Sequence, residues 1–288
     1  MSDGMKEENM RKSRRRYNSS RLSRGEPPNF TGQHLMHNKK TIRDIMRAAA
    51  IRKTDQVIEF GAGKGALTSE LVRRSDHVLA IEIDERFIAI LKRKFASNEN
   101  VKIIKQDILN VHLPRKEFVV VANIPYAITT AIMKMLLNHP NKKLAKGIIV
   151  MEKGAARRFV SRRIKDAYVL QWRMYFDLRI EKIIPSTHFS PPPKVESAIL
   201  SIRRKDNPII PYRYAAQFRN LVKILLRDPD EPVGHTLIRL FTPKQLKHVR
   251  QQLGINYTFR IGYLSEEQWG IIFDTVINYV PYYLKRTT

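Results

Sequence analysis

The chain has 288 residues, 43% of them hydrophobic, no cysteine and a formal net charge of +26. That length fits one large domain with a small companion and a sizeable core, and the missing thiols exclude disulfides, a thiolate nucleophile and cysteine-ligated zinc. No apolar signal core opens the sequence and no apolar run approaches the ~18 residues of a membrane span, so a soluble protein with no membrane partner is expected; the lack of cysteine fits a reducing cytoplasm, and a monomer is expected.

Residues 1–27 carry Arg14-Arg15-Arg16 and Ser19-Ser20 without hydrophobic periodicity, and read as a mobile basic arm. Most of the positive charge lies beyond it, in the body of the chain. A field of that sign draws polyanions, and phosphate contacts would make nucleic-acid affinity strongly salt-dependent.

From Gln56 onward, β-rich runs alternate with helical patterns. Strands are expected over Gln56 to Phe60, His77 to Ile83, Val101 to Gln106, Phe118 to Ala122 and Gly147 to Met151, with helices over Ala66 to Arg74, Arg86 to Phe95 and Thr129 to Leu137. Such alternation predicts right-handed crossovers and a largely parallel sheet covered on both faces. Tyr175 to Ile184 and Ser197 to Arg203, joined through Ser190-Pro191-Pro192-Pro193, could add an antiparallel pair at the sheet edge. Beyond Lys205 the pattern becomes helical, at Tyr212 to Leu226, Pro243 to Gln252 and Ser265 to Asn278. The expected fold is therefore α/β and Rossmann-like, with a main domain over 28–205 and a small all-helical domain over 206–288.

Glu59-Phe60-Gly61-Ala62-Gly63-Lys64-Gly65 follows the first strand and opens the first helix. Alternate glycines allow a tight turn and close approach of backbone to ligand. Glu82-Ile83 ends the second strand, where the carboxylate can accept from ribose hydroxyls, and Asp107-Ile108 ends the third, where it can accept from an adenine amine. The glycine spacing departs from the dinucleotide pattern, and no Walker sequence is present. A nucleoside with a small zwitterionic tail fits better than a pyrophosphate: S-adenosylmethionine, with the turn, Glu59, Gly61, Ala62 and Gly63 around the tail.

Asn123-Ile124-Pro125-Tyr126 leaves the buried run Phe118 to Ala122. Adenine's exocyclic nitrogen is a poor nucleophile because its lone pair is delocalised into the ring. The Asn123 side-chain oxygen and the Ile124 carbonyl can each accept one of its N–H bonds and aim the lone pair at a methyl sulfonium, with Pro125 fixing the backbone. Asn123 would thus border both cofactor and acceptor. Tyr126, and Phe189 from the later loop, could stack on an extruded base. Lys153, Arg157, Arg158, Arg162, Arg163 and Lys165 follow the fifth strand and are expected on one helix, gripping RNA phosphates. His34 and His37 lack a partner acid pattern, so no metal is expected.

With EFGAGKG, IEID, QDIL, NIPY and FSPPPKVES in that order, the chain closely resembles the ribosomal RNA adenine N6-methyltransferases from about Asn29 to Arg204. Asn29 to Leu35 also matches that family's opening motif, and the resemblance implies that Gln33, His34 and Leu35 line the cofactor pocket. It implies further that the main domain binds cofactor and target base while the helical domain flanks the RNA. Two branches fit: the Erm enzymes, which methylate an adenine in the 23S rRNA peptidyl-transferase region and confer macrolide, lincosamide and streptogramin B resistance, and the small-subunit dimethyladenosine transferases. Ile124, the Asn29 to Leu35 wording and the arginine-rich arm favour Erm. DNA adenine methylation and a binding-only relative on the same fold are the other readings.

Overall fold

The structure, a computed structural model, describes residues 34–280 apart from 142 and 257; the expected basic arm and Gln33 lie outside the described residues. The described chain opens with β1 (Leu35–Met36) and α1 (Lys39–Ala49). Neither element was anticipated from the sequence. In α1 the buried residues Thr41, Ile45, Met46 and Ala49 form one stripe, and the Asn38 side chain caps its start by accepting from the Thr41 N–H.

Strands and helices then alternate: β2 (Gln56–Phe60), α2 (Thr68–Leu71), β3 (His77–Glu82), α3 (Glu85–Lys94), β4 (Val101–Lys105), β5 (Phe118–Asn123), α4 (Thr129–Leu137), β6 (Leu144–Glu152) and α5 (Lys153–Val160). The expected strands are all found, within three residues at each end. The first helix is much shorter than Ala66 to Arg74, because the turn that begins at Gly61 continues through Leu67.

After α6 (Ala167–Tyr175) come β7 (Phe176–Ile184), β8 (Phe189–Ser190) and β9 (Ser197–Arg204). Among the described residues, seven strands form one sheet in the order β4-β3-β2-β5-β6-β9-β7. β4 to β6 run parallel, while β9 is antiparallel to both β6 and β7, giving the expected edge pair. A separate short pair joins β1 to β8, with Leu35 opposite Ser190 and Met36 opposite Phe189.

Both faces of β5 are buried, and its side chains alternate between two cores. Val119 and Val121 join Ile45, Met46 and Phe189 beneath α1. Phe118, Val120 and Ala122 join the larger cluster on the opposite face. That larger cluster continues without a break through Trp172 of α6 into Phe218, Trp269 and Phe273 of the C-terminal helices α7 (Ala215–Leu225) and α10 (Glu266–Tyr279). Between these lie α8 (Val233–Leu237) and α9 (Pro243–Leu253); capping boxes at Thr242 and Ser265 start α9 and α10.

The basic segment after β6 differs from its expected form. α5 holds Lys153, Arg157 and Arg158, but the chain becomes extended at Ser161, and Arg162, Arg163 and Lys165 fall in the following loop. The cause is a long-range contact: the Ile164 N–H donates to the Gly262 carbonyl at 2.7 Å, tying this loop to the C-terminal helices.

Candidate active site

Four parallel strands, β4, β3, β2 and β5, end side by side, and each delivers one part of the site. The Gly61 and Ala62 N–H groups at the end of β2 both donate to the Ile81 carbonyl of β3, at 2.9 and 3.1 Å. Gly61, Gly63 and Gly65 adopt φ values of +71°, +54° and +76°. Only glycine enters that region without strain, which explains the alternation. A methyl group on Gly65 would lie 2.9 Å from both Leu91 and Phe95, so this glycine also lets α3 approach the turn. One on Gly63 would meet Leu35 at 2.9 Å, placing β1 directly over the turn.

Glu82, 4% exposed, is pinned by backbone donors. Its Oε2 accepts from the Gly63 N–H at 2.7 Å, and its Oε1 accepts from the N–H groups of Ile83 and Asp84 at 2.7 and 2.9 Å. A carboxylate offers about four acceptor positions, so room for a hydroxyl donor remains on Oε2. Beside it Ile83 is 56% exposed, an apolar side chain open to a flat ligand. Asp107 caps the short helical turn Ile108–Asn110 through Oδ1, which accepts from the Leu109 N–H at 2.9 Å. Capping and ligand recognition are compatible here, because the cap uses one oxygen.

Glu59 lies beneath the turn rather than on its surface, 1% exposed, and accepts from the Thr68 hydroxyl at 2.6 Å. Burial pushes its carboxyl up to about 8; the Thr68 hydrogen bonds oppose the shift, and the nearby Glu82 charge adds to it. The neutral acid therefore supports the loop from below.

At the end of β5, the Asn123 amide donates through Nδ2 to the His34 carbonyl at 2.9 Å, which leaves Oδ1 as an acceptor. The Asn123 carbonyl would lie 3.5 Å from a methyl group on Gly61, so the glycine turn and this motif adjoin. Ile124 is buried at 2% exposure, its N–H donates to the Val150 carbonyl of β6 at 3.2 Å, and among the described residues no donor reaches its own carbonyl. Pro125 closes a helical turn by accepting from the Ile128 N–H at 3.2 Å.

Tyr126 is held at its hydroxyl by Ser197 Oγ at 2.6 Å, and its ring lies 5.7 Å from that of His34. Burial raises its phenol above the ordinary value; the Ser197 bond partly offsets this and the Glu152 carboxylate adds to it. The ring is thus a neutral surface, not a base. His34 Nδ1 donates to the Pro191 carbonyl at 2.8 Å, since a carbonyl can only accept, and so ties the opening segment to the proline loop. Ser197 escaped the sequence reading, although it closes the FSPPPKVES motif.

Phe189, expected as a second stacking ring, is buried. It is 2% exposed and packs with Met36 and Ile45 beneath α1, so no face is open to a base. Arg163 also departs from its expected role: it is ion-paired with Asp230, and its Nε is buried without a partner. Lys153 pairs with Glu196. Arg157, Arg158, Arg162 and Lys165 remain exposed. Among the described residues no group of three or more potential ligands could hold a metal, and no helix is long and apolar enough to cross a membrane.

The sheet, the positive-φ glycine turn and the acids on neighbouring strand ends define a Rossmann-like methyltransferase. The model of the family described as ribosomal RNA adenine dimethylase matches residues 28–278. An rRNA adenine N-6-methyltransferase from Bacillus licheniformis is 52% identical, over 95% of this chain and 96% of its own. A ribosomal RNA small subunit methyltransferase A from Latilactobacillus sakei is 29% identical, over 88% of this chain and 91% of its own. Among solved structures, the 23S rRNA methyltransferase ErmE superposes with a TM-score of 0.76 at 25% identity, covering 84% of this chain and 99% of that one. The chain belongs to the ribosomal RNA adenine dimethylase family, whose members are S-adenosylmethionine-dependent methyltransferases.

The residues present fit that cofactor. A methyl group on Gly61 would project toward the Asn123 carbonyl and Ile108, so the glycine leaves open the cradle where the turn meets β5. Glu82 keeps acceptor capacity for a hydroxyl, Ile83 offers an exposed apolar side chain, and Asp107 has a second oxygen for an amine.

Proposed function

We propose that this protein methylates the exocyclic N6 of one adenine in the peptidyl-transferase region of 23S rRNA, and that the modification confers resistance to macrolides, lincosamides and streptogramin B. The observation that carries the acceptor chemistry is the Asn123 amide. Its Nδ2–H is committed to His34, so its Oδ1 is oriented as an acceptor beside the Ile124 carbonyl. Two acceptors at one strand end suit an amine with two N–H bonds and disfavour a carbonyl or hydroxyl substrate.

When bound, S-adenosylmethionine supplies an electrophilic methyl on a sulfonium. Gly61, Ala62 and Gly63 would hold its amino-acid tail, with Glu59 supporting the turn from beneath. Glu82 would accept from the ribose, Ile83 and Ile108 flank the adenine ring, and Asp107 accept from its amine. His34 and Leu35 close the pocket from above, as the contacts of Leu35 with Gly63 and of His34 with Asn123 suit. Tyr126 offers the acceptor base a ring. No strong base is required, because the alkylated nitrogen is acidic and loses its proton readily; alignment and electrostatics supply the rate.

The assignment to 23S rRNA is supported by the order of likeness. The 52% identical relative carries the general N6-methyltransferase name, whereas small-subunit enzymes are 29% and 34% identical, and the 23S rRNA methyltransferase ErmE superposes at a TM-score of 0.76 against 0.70 for a dimethyladenosine transferase from Plasmodium falciparum. The test is to incubate the protein with labelled cofactor and protein-free 23S or 16S rRNA, then map the modified adenine. Label at one adenine of the 23S peptidyl-transferase region is expected. Label confined to 16S rRNA would transfer the protein to the small-subunit branch, and no label in either would leave a binding protein on a methyltransferase fold.

A further inference from the structure

Three cations converge on one aromatic ring where the sheet helices meet the C-terminal helices. Lys134 Nζ of α4 lies 4.5 Å from the Tyr168 ring centre, Arg219 Cζ of α7 lies 5.2 Å away, and Lys223 Nζ of α7 lies 5.4 Å away. Tyr168 itself sits at the start of α6. Among the described residues none of the three forms an ion pair, whereas Arg163, Arg173 and Arg260 nearby in the fold all do. The one acid close in sequence, Asp166, is engaged in capping α6, accepting from the Tyr168 N–H at 2.8 Å.

Arg219 is further held by Gln171, a fully buried side chain whose oxygen accepts from its Nη1 at 3.2 Å, and the Arg219 Nε is buried without a partner. A cation–π contact attracts each charge to the ring but neutralises none of them. The three charges repel one another, and a site that assembles them without an acid is complementary to an anion.

Lys134 of this cluster lies on the helix that follows the acceptor motif. Tyr126, Thr130 and Lys134 follow at intervals of four residues, so Thr130 and Lys134 share one face of α4. Between them and α5, Arg158 donates to the Thr130 hydroxyl at 2.9 Å. At 1.5 Å per residue, the path from Tyr126 to Lys134 is about 12 Å, a few phosphate spacings along a strand. We infer that the cluster of Lys134, Arg219 and Lys223 around Tyr168 docks the sugar-phosphate backbone of the RNA a few nucleotides from the acceptor adenine, and that α7 thereby helps choose which base reaches Asn123. This inference rests on ribosomal RNA being the substrate. It gives the C-terminal helices a direct part in recognition, separate from Arg157 and Arg158.

The test uses the full chain with protein-free 23S rRNA, and reads equilibrium binding as a function of salt together with thermal unfolding and cofactor affinity. Lys134→Gln, Arg219→Gln and Lys223→Gln are compared with Lys92→Gln, an exposed charge on α3. Each cluster variant is expected to weaken RNA binding about 3- to 10-fold and to reduce the slope of log K against log salt by roughly 0.7 to 0.9, with cofactor affinity unchanged. Tyr168→Phe, which keeps the ring, is expected to bind RNA as the unsubstituted protein does. Cluster variants that bind RNA like Lys92→Gln would overturn the inference, and a lowered melting temperature alone would make the cluster a clasp between helices. Because binding is read without methyl transfer, the two readings fail separately: RNA docking without methylation removes the proposed function, whereas methylation with unaltered docking in the variants removes this site.

Discussion

The Asn123 side-chain amide donates to the His34 backbone carbonyl at 2.9 Å, joining the end of β5 to a segment 89 positions earlier in the chain. That bond decides which face of the amide meets the acceptor. Asn123→Asp keeps the acceptor oxygen but exchanges the donating nitrogen for a second oxygen, which sets a carboxylate against the His34 carbonyl, so the side chain turns away. We expect Asn123→Asp to lose about as much turnover as Asn123→Ala, on the order of 10²- to 10³-fold, the scale of losing one preorganised hydrogen-bonding group in a transition state. Single-turnover methylation at saturating cofactor measures it. Near-normal turnover in Asn123→Asp would show that the acceptor oxygen suffices without its anchor.

The glycine turn separates into a structural and a ligand-facing half. Gly65→Ala would put a methyl group against Leu91 and Phe95 at a φ of +76°, and Gly63→Ala would put one against Leu35 at +54°. Strain of this kind costs roughly 1–3 kcal/mol. Both variants should lose stability in denaturant titrations, but only Gly63→Ala should also weaken cofactor binding by calorimetry, because Leu35 and the Gly63 N–H to Glu82 both meet there. Equal cofactor affinity in the two variants would remove that distinction.

Most of the sheet was legible because its strands are buried on both faces and so appear as short apolar runs closed by a turn signal. Phe118 to Ala122 is the clearest case: five apolar residues, then Asn123 and Pro125. What the sequence concealed depends on contacts between distant segments. Arg163 looked like a member of a basic helix, but its partner Asp230 lies 67 positions away. Phe189 reads as an exposed ring on a proline-rich loop until β8 pairs with β1 beneath α1. Tyr168 gave no signal at all, since its three cations come from two other helices. The strand-end acids were recognisable for the opposite reason: a parallel sheet brings consecutive strand ends together by its topology alone.

Arg163 and Arg157 should accordingly respond in opposite ways. Arg163→Gln breaks the pair with Asp230 that ties the loop after α5 to the C-terminal helices, so its melting temperature should fall by a few degrees while RNA affinity changes no more than in Lys92→Gln. Arg157→Gln, at an exposed position, should leave melting unchanged and weaken RNA binding at low salt. The reverse pattern would return Arg163 to the RNA-binding set.

Glu82 satisfies three backbone N–H groups before any ligand arrives, which makes its charge state and shape matter separately. Glu82→Gln has the same shape, but its amide nitrogen must face a donor, either Gly63 or the Ile83 and Asp84 pair. We expect Glu82→Gln and Glu82→Ala alike to raise the cofactor dissociation constant at least about tenfold, since an unpaired buried donor costs roughly 1–3 kcal/mol. Calorimetric titration decides the point, and unchanged affinity in Glu82→Gln would refute the ribose role.

Glu59 predicts a pH dependence whose sign differs from that of an ion-paired acid. Its carboxyl rises from 4.5 to about 8 in the folded protein, chiefly through burial. Between those values the folded state holds a proton that the unfolded chain has released, so the folded state binds more protons and stability falls as pH rises. The contribution is complete below about 4.5 and is lost on passing through about 8. Glu59→Gln keeps an acceptor for the Thr68 hydroxyl but has no proton to lose. Its melting temperature should lie near or below that of the unsubstituted protein at pH 5 and gain on it steadily toward pH 9. A difference between the two proteins that stays constant across that range would mean that Glu59 titrates in the folded state as it does in the unfolded chain, and that the turn does not rest on a neutral acid.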